Sequence, residues 1–186
     1  MHRIILPVAA CALALAAAPA LADRDHDRFS AKFSGFEEVG GVGAGQTGAI
    51  LSGGTATLDL ELDRQAQTLT FTLEYSGLGS PVTQAHIHFG KRHVGGGIMV
   101  FFCSNLANPP AGTQACPASG GTVTGTIVAA NIIGPAAQGV TPGNFDALVE
   151  ALDNDTAYGN IHTTAFPAGE IRGQVRHHDR GRHGRD

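Results

Sequence analysis

Several classes of protein are excluded by what this sequence lacks. The 186-residue chain has only 15% charged residues and a formal net charge of −4, so it offers no basic stripe to phosphate groups and we expect no nucleic-acid partner. Its 26 glycines follow no three-residue period, which excludes a collagen-like rod. Beyond residue 22 no apolar run is long enough to cross a bilayer, so we expect no membrane span after export.

Motifs of common catalytic machinery are also absent. The sequence has no G-x-S-x-G elbow, which is the signature of many serine hydrolases. The glycines at 95–97 precede a predicted strand, so they lack the helix N-terminus that binds phosphate. Glu37 and Glu38 are adjacent, which places them on opposite faces of a strand and prevents them from acting as an acid–base pair. We therefore expect a protein that is not an enzyme, with a metal-dependent activity as the minority alternative.

The first 22 residues have the organisation of an export signal. A positively charged tip precedes an apolar segment at 4–18, and Ala20-Leu21-Ala22 matches an A-x-A cleavage site. Pro7 and Pro19 interrupt the apolar segment, which argues against a membrane helix. The sequence therefore predicts a signal peptide at 1–22 and a secreted or periplasmic protein.

Removal of that signal leaves two cysteines, Cys103 and Cys116, in an oxidising compartment. An even pair there is expected to form a disulfide. The enclosed residues 104–115 include two prolines and a glycine, which is typical of a loop. The alternative of a redox-active pair is less favoured, because the cysteines lack C-x-x-C spacing.

Hydrophobic alternation with a period of two dominates the middle of the chain. Thr55–Asp63 alternates apolar with polar residues, and Gln67–Tyr75 repeats the pattern after a short connection, so the two segments are predicted to form a hairpin. Further strands are predicted at Phe29–Phe36, Val82–Phe89, Gly97–Cys103, Thr122–Ala129, Tyr158–Thr163 and Gly169–Arg176.

One helix is predicted among these strands. Apolar residues recur with helical spacing from Phe145 to Leu152, and Asn144 precedes them as a capping residue. Short strands with a single helix predict an all-β fold, namely an antiparallel β-sandwich or barrel of the immunoglobulin-like or Cu/Zn-superoxide-dismutase-like kind.

Charged segments flank the predicted strands. Residues 23–28 and 177–186 contain several histidines and show no apolar periodicity, so we expect solvated tails. The sequence thus predicts one domain at 29–176 between two tails.

Two polar clusters stand out within the predicted strands. Residues 84–90 read Q-A-H-I-H-F-G, residues 158–164 read Y-G-N-I-H-T-T, and residues 167–174 read P-A-G-E-I-R-G-Q. The paired A-H-I-H, Y-x-N-x-H-T and P-x-G-E-I-R-G-Q motifs resemble those of the CHRD domain, a module named after chordin and found in many bacterial secreted proteins. The resemblance runs from about Phe29 to Val175 and implies an extracellular all-β domain, with no implied catalytic activity. The growth-factor antagonism of chordin is not carried over, because we expect a single isolated module in this chain.

Strand periodicity predicts where the histidines of these motifs point. Because apolar residues alternate with them, His86, His88 and His162 are predicted to point away from the core, onto the outer surface of the barrel. Glu170 and Arg172 are assigned to the same outer surface. If the strands are neighbours, the three imidazoles and the Glu170 carboxylate converge there. Such a group of ligands suits copper or zinc, so one hypothesis is a surface metal site.

A structural role for the same motifs is the competing interpretation. Outward-facing histidines and charged residues can simply hydrogen-bond neighbouring strands and loops. In that interpretation a structural network includes Asn160, Thr163, Arg172 and Gln174. His93 lies in a glycine-rich loop, where we expect it to be exposed, with a role as fourth ligand as the alternative.

The sequence therefore predicts an exported protein that acts as a non-catalytic extracytoplasmic binding or structural module. Its partner is an unidentified extracytoplasmic protein or ligand, and no cofactor is certain. The alternative is a periplasmic or secreted protein that binds copper or zinc through a surface histidine cluster on the β-barrel.

Overall fold

A computed structural model of the chain describes residues 27–40 and 48–178. The predicted signal peptide at 1–22, and most of both predicted tails, lie outside the described residues. Within the described ranges, no helix is both long enough and apolar enough to cross a membrane.

The described residues form nine strands and one α-helix. In chain order they are β1 (Asp27–Phe33), β2 (Thr55–Asp63), β3 (Thr68–Ser76), β4 (Val82–Phe89), β5 (Gly97–Ser104), β6 (Gly121–Ile127), α1 (Phe145–Asp153), β7 (Ala157–Thr163), β8 (Ile171–Gln174) and β9 (Arg176–His177). Single 3₁₀ turns lie at Gly35–Glu37, Ala129–Asn131 and Ala136–Gln138.

The strands pair antiparallel in two sheets. The first sheet has the order β6-β3-β2-β1-β9, and the second has the order β5-β4-β7-β8. This arrangement confirms the predicted all-β sandwich with one short helix. The β2–β3 hairpin is also confirmed, because the two strands pair from Thr55 opposite Ser76 to Asp63 opposite Thr68.

The hydrophobic core lies between the inner faces of the two sheets. On β2, Leu58, Leu60 and Leu62 are at most 2% exposed, while most of the polar residues between them face solvent. Burial of each such side chain stabilises the fold by about 1.5–3 kcal/mol. The helix α1 contributes buried apolar residues to the same core, and the Asn144 side chain caps it by accepting a hydrogen bond from the Ala147 amide at 3.1 Å.

Some predicted boundaries are wrong at the edges of the domain. Asp27 and Arg28, assigned to the N-terminal tail, pair with Leu62 and Glu61 of β2 and therefore belong to β1. His177, assigned to the C-terminal tail, pairs with Phe29 in β9. Backbone pairing with a neighbouring strand extends both ends, and the charged side chains of β9 are compatible with its position at the edge of the first sheet.

The last predicted strand, Gly169–Arg176, is divided between the two sheets. Ile171–Gln174 pairs with β7 in the second sheet, whereas Arg176 pairs with β1 in the first sheet. Between them Val175 is fully buried in the core. Strand periodicity alone does not reveal a change of sheet, because the apolar alternation continues through it.

The predicted disulfide is confirmed. Cys103 at the end of β5 is bonded to Cys116, with a sequence separation of 13 residues. Closure of a loop of this length restricts the unfolded chain and stabilises the fold by about 3 kcal/mol. The Asn105 side chain further secures the loop by donating hydrogen bonds to the carbonyls of Val82 and Cys116, at 2.9 and 3.0 Å.

Candidate metal centre

The second sheet, unlike the first, is buried on both faces. Every residue of β7 is buried, and the inner-facing Ala85, Ile87 and Ile161 pack into the core as their spacing predicts. Three connecting segments, which we call the cover segments, lie over the outer face: residues 34–40, 90–96 and 164–169.

Hydrogen bonds fasten each cover segment to the second sheet, the first at its β8 edge and the other two on its outer face. Ser34 exchanges backbone hydrogen bonds with Arg172, at 3.1 and 3.2 Å. The carbonyl of Gly96 contacts His88, and the carbonyl of Pro167 contacts His162. The outer face is therefore a second interior, lined by polar side chains.

His86, His88 and His162 lie in this second interior, where they are 0, 9 and 7% exposed. The prediction of a surface histidine cluster is wrong on this point. The alternation of the strands is as predicted, since the three rings lie on the side opposite the core. Their exposure was mispredicted because the cover segments carry no periodic pattern that shows they fold over the sheet.

The three histidine rings form one compact group. The ring centroid of His86 lies 4.5 Å from that of His88 and 4.6 Å from that of His162. The centroids of His88 and His162 are 6.4 Å apart. One nitrogen from each ring can be chosen so that all three lie within 4.8 Å of one another. Among the described residues no fourth histidine, cysteine or carboxylate joins this group.

Two of the rings have a defined tautomer. His88 Nδ1 lies 2.8 Å from the Gly96 carbonyl, and His162 Nδ1 lies 3.0 Å from the Pro167 carbonyl. A carbonyl oxygen only accepts, so each Nδ1 must carry the proton. Each Nε2 therefore presents a lone pair toward its surroundings.

The remaining nitrogens of the group have no hydrogen-bond partner within the described part of the chain. They are Nε2 of His88, Nε2 of His162 and both nitrogens of His86. Buried polar atoms are nearly always hydrogen-bonded in folded proteins, and an unpaired one costs about 1–3 kcal/mol. The concentration of four such atoms in one group requires an explanation beyond packing.

Burial keeps these imidazoles neutral. It lowers the pKa of His88 to about 4, against a weaker opposing effect of the Gly96 hydrogen bond. Burial also lowers the pKa of His86 and His162, and the Pro167 hydrogen bond and the charge of Glu38 partly oppose the shift at His162. At neutral pH the group therefore consists of three uncharged imidazoles with free lone pairs, which is the form that binds metal ions.

Aromatic and cationic side chains pack around the group. The Phe101 ring contacts His86 edge-on, and the Tyr158 ring stacks on His88 with an interplanar angle of 3°. The Arg172 guanidinium carbon lies 3.3 Å from the Tyr158 centroid. His88 and Arg172 both lie too close to the Tyr158 ring to occupy the same face of it. The Tyr158 ring therefore lies between His88 and Arg172.

Glu170, proposed from the sequence as a further ligand, is not part of the histidine group. Its carboxylate is fully buried and accepts hydrogen bonds from Ser52 Oγ at 2.6 Å, the Gly79 amide at 2.8 Å and Thr163 Oγ1 at 2.7 Å. These three donors fasten the neighbouring loops to β7, which is a structural task.

The other residues of the proposed structural motif also form hydrogen bonds. Arg172 Nη2 donates to the carbonyls of Lys91 and Val94, both at 3.0 Å. Gln174 Nε2 donates to three backbone carbonyls, including that of Gly90 at 3.1 Å. The outer face thus contains a hydrogen-bonded framework, in which Arg172 Nη1 and Gln174 Oε1 also lack partners among the described residues, and within it the four unpaired histidine nitrogens.

Sequence analysis missed a buried carboxylate in this framework. Glu38, dismissed with Glu37 as an unsuitable acid–base pair, is 4% exposed and accepts a hydrogen bond from Asn160 Nδ2. A Cβ atom at residue 169 would collide with the Glu38 carboxylate, so this position requires glycine. The glycine in the P-x-G-E motif is the only sequence feature that signals this close approach.

His93 lies apart from the buried histidines. Its side chain is 58% exposed, and its Nε2 lies 3.3 Å from Glu37, which also binds Arg92. The exposed position is the one expected from its loop, and a role as fourth ligand receives no support from the geometry.

Comparison with known proteins returns one match. A family model described as the CHRD domain matches residues 29–175. A search of curated proteins and a search of solved structures return no match.

Proposed function

The chain belongs to the CHRD-domain family, and from this premise we propose that it is an exported module that binds one copper or zinc ion through His86, His88 and His162. The observation that carries the proposal is the group of buried imidazole nitrogens that have no partner within residues 27–40 and 48–178. A metal ion would accept one lone pair from each ring and remove the cost of leaving those three nitrogens unpaired, while the N–H of His86 stays without a partner among the described residues.

The surroundings of two of the histidines support this function. Metal-binding histidines almost always donate their other ring N–H to a carboxylate, carbonyl or water, which fixes the ring and its tautomer. His88 and His162 make such bonds to the Gly96 and Pro167 carbonyls. The Nε2 atoms are therefore oriented as ligands before any ion arrives.

The spacing of the nitrogens requires a small adjustment. Ligands about 2.0–2.1 Å from a tetrahedral ion lie roughly 3.4 Å from one another. The observed limit of 4.8 Å is larger, so the rings must draw together by small side-chain rotations when the ion binds. His86 has the most freedom to adjust, because neither of its ring nitrogens has a hydrogen bond within the described residues.

We propose binding rather than turnover as the role of the site. Each histidine is at most 9% exposed beneath the cover segments, so a substrate reaches the ion only if those segments move. Imidazole suits both copper and zinc, and the general order of divalent affinities favours Cu²⁺ over Zn²⁺. A periplasmic or extracellular location is part of the proposal, supported by the disulfide and the signal-like N-terminus.

Isothermal titration of the metal-free exported protein with Zn²⁺, and separately with Cu²⁺, tests the proposal. We expect one equivalent to bind tightly to the wild type. The His86→Leu variant, which removes one ligand and keeps a side chain of similar size, is expected to weaken that site by at least about 100-fold. All proteins retain both histidine-containing tails, so binding by the tails is common to every titration.

The His93→Asn variant is the matched control. It removes an exposed histidine whose φ of 60° asparagine tolerates, and it should bind metal like the wild type. Equal binding by the wild type and His86→Leu would assign the metal to the tails and overturn the proposed function.

A further inference from the structure

The cover segment at residues 90–96, called the Gly90–Gly96 loop below, supplies the carbonyl that fixes His88. Gly96 oxygen accepts the Nδ1–H of His88 at 2.8 Å. The position of this oxygen therefore decides which nitrogen of His88 carries a proton and which carries the lone pair. Whatever holds Gly96 in place acts on the proposed metal ligand.

Tyr158 holds Gly96 from two directions. Its hydroxyl accepts a hydrogen bond from the Gly96 amide at 3.0 Å and lies 3.4 Å from the Gly96 carbonyl, to which it can donate. Its ring stacks on His88, with centroids 4.6 Å apart. One side chain thus fixes both the plane of His88 and the peptide group that His88 binds.

Arg172 holds the middle of the same loop. Its Nη2 bridges the carbonyls of Lys91 and Val94, while its guanidinium lies against the Tyr158 ring. Arg172 is only 2% exposed, and a buried cation needs such partners to offset the loss of hydration. The Lys91, Arg92 and Val94 side chains are exposed, and Arg92 pairs with Glu37, whereas Arg172 contacts the loop from its buried side.

We propose that Tyr158 and Arg172 are positioning residues of the metal site, which act by clamping the Gly90–Gly96 loop so that His88 is fixed with Nδ1 protonated and Nε2 available. This inference rests on the proposed metal-binding function for its role in affinity. It also explains why the tyrosine of the Y-x-N-x-H-T motif and the arginine of the E-I-R-G-Q motif accompany the histidines. Their spacing places Tyr158 and Arg172 on the same face of neighbouring strands as the histidines.

The Tyr158→Phe variant tests the clamp with little risk to the fold, because it keeps the ring and its two stacking contacts and removes only the hydroxyl. Two quantities are measured: Zn²⁺ affinity by titration, and the tautomer of His88 in the metal-free protein by long-range ¹H–¹⁵N NMR. We expect affinity to fall about tenfold with the stoichiometry unchanged, and His88 to become a mixture of tautomers.

The chain offers a matched control in its other tyrosine. Tyr75 is also buried, and its hydroxyl donates to the Pro117 carbonyl at 2.6 Å, away from the histidines. Tyr75→Phe removes the same atom from a comparable setting and should change neither the Zn²⁺ affinity nor the His88 tautomer. A second variant, Arg172→Lys, keeps the charge but cannot reproduce the planar contact, and it should act in the same direction as Tyr158→Phe.

The outcomes separate this inference from the proposed function. If the wild type binds no metal at its histidines, the proposed function fails, and the tautomer measurement still decides whether Tyr158 positions His88. If the wild type binds one ion and Tyr158→Phe leaves the His88 tautomer unchanged, the clamp is overturned, whether or not affinity changes. Equal effects of Tyr158→Phe and Tyr75→Phe would also overturn it.

Discussion

Metal-free protein carrying His86→Leu is expected to be more stable than the metal-free wild type, by about 1–3 kcal/mol in the free energy of unfolding. His86 is fully buried with both ring nitrogens unpaired, and leucine fills a similar volume without polar atoms. With metal present the order should reverse. A ligand at 1,000 times its dissociation constant stabilises the protein that binds it by about 4 kcal/mol, and only the wild type keeps the full site.

Urea denaturation of both proteins, with and without Zn²⁺, measures these differences. The His162→Leu variant is an informative companion, because it leaves the Pro167 carbonyl without its 3.0 Å donor. It should be about 1 kcal/mol less stable than His86→Leu in the absence of metal. A metal-free His86→Leu protein that is clearly less stable than the wild type would assign His86 a structural role and contradict the metal interpretation.

Replacement of Glu170 by alanine is expected to lower stability and keep metal binding, whereas His86→Leu raises stability and loses it. We expect a loss of roughly 2–4 kcal/mol in the free energy of unfolding, with one Zn²⁺ still bound per chain. Glu170 accepts three hydrogen bonds, so alanine leaves the buried Thr163 hydroxyl without its acceptor and opens a gap beneath the loops. The affinity for metal should stay within a few-fold of wild type, because the carboxylate lies outside the histidine group.

Chemical denaturation and Zn²⁺ titration of the same preparation check both parts. Glu74→Ala, which alters an exposed glutamate on β3, serves as the control and should change stability by no more than about 0.5 kcal/mol. Loss of metal binding in Glu170→Ala, in protein that remains folded, would make Glu170 a ligand and contradict the division of the outer face into framework and metal site.

The outer face contains two sets of polar side chains, a hydrogen-bonded framework and the histidine group. Asn160, Thr163, Glu170, Arg172 and Gln174 all form hydrogen bonds that join cover segments or neighbouring loops to the second sheet. The histidines differ, since their facing nitrogens have no such bonds among the described residues. The structural network therefore applies to the first set of residues, and the proposed metal site concerns the histidines of the same motifs.

The alternation of apolar and polar residues predicted the architecture because the strands of the first sheet have one face against the core and one face toward solvent. The alternation in β2 and β3 reports this directly, and the hairpin follows from it. In β4 and β7 the same alternation predicted that the histidines oppose the core. It could not predict their burial. In these two strands the apolar side chains face the core and the polar side chains face the cover segments, so both sets are buried.

The remaining failures concern contacts between residues far apart in the sequence. Glu38 and Asn160 are separated by 122 positions, and Glu170 and Ser52 by 118, so no local pattern links them. The sequence consequently offered Glu170 as a ligand and dismissed Glu38, whereas both carboxylates are hydrogen-bonded within the framework. Only the folded cover segments reveal these partners.

The most direct test of the metal centre is the zinc X-ray absorption spectrum of the purified full-length protein loaded with one equivalent. We expect three imidazole nitrogens at about 2.0 Å from the zinc ion in the wild type, and the loss of that signature in His86→Leu. A spectrum dominated by oxygen ligands, or one that is identical in the wild type and His86→Leu, would contradict it.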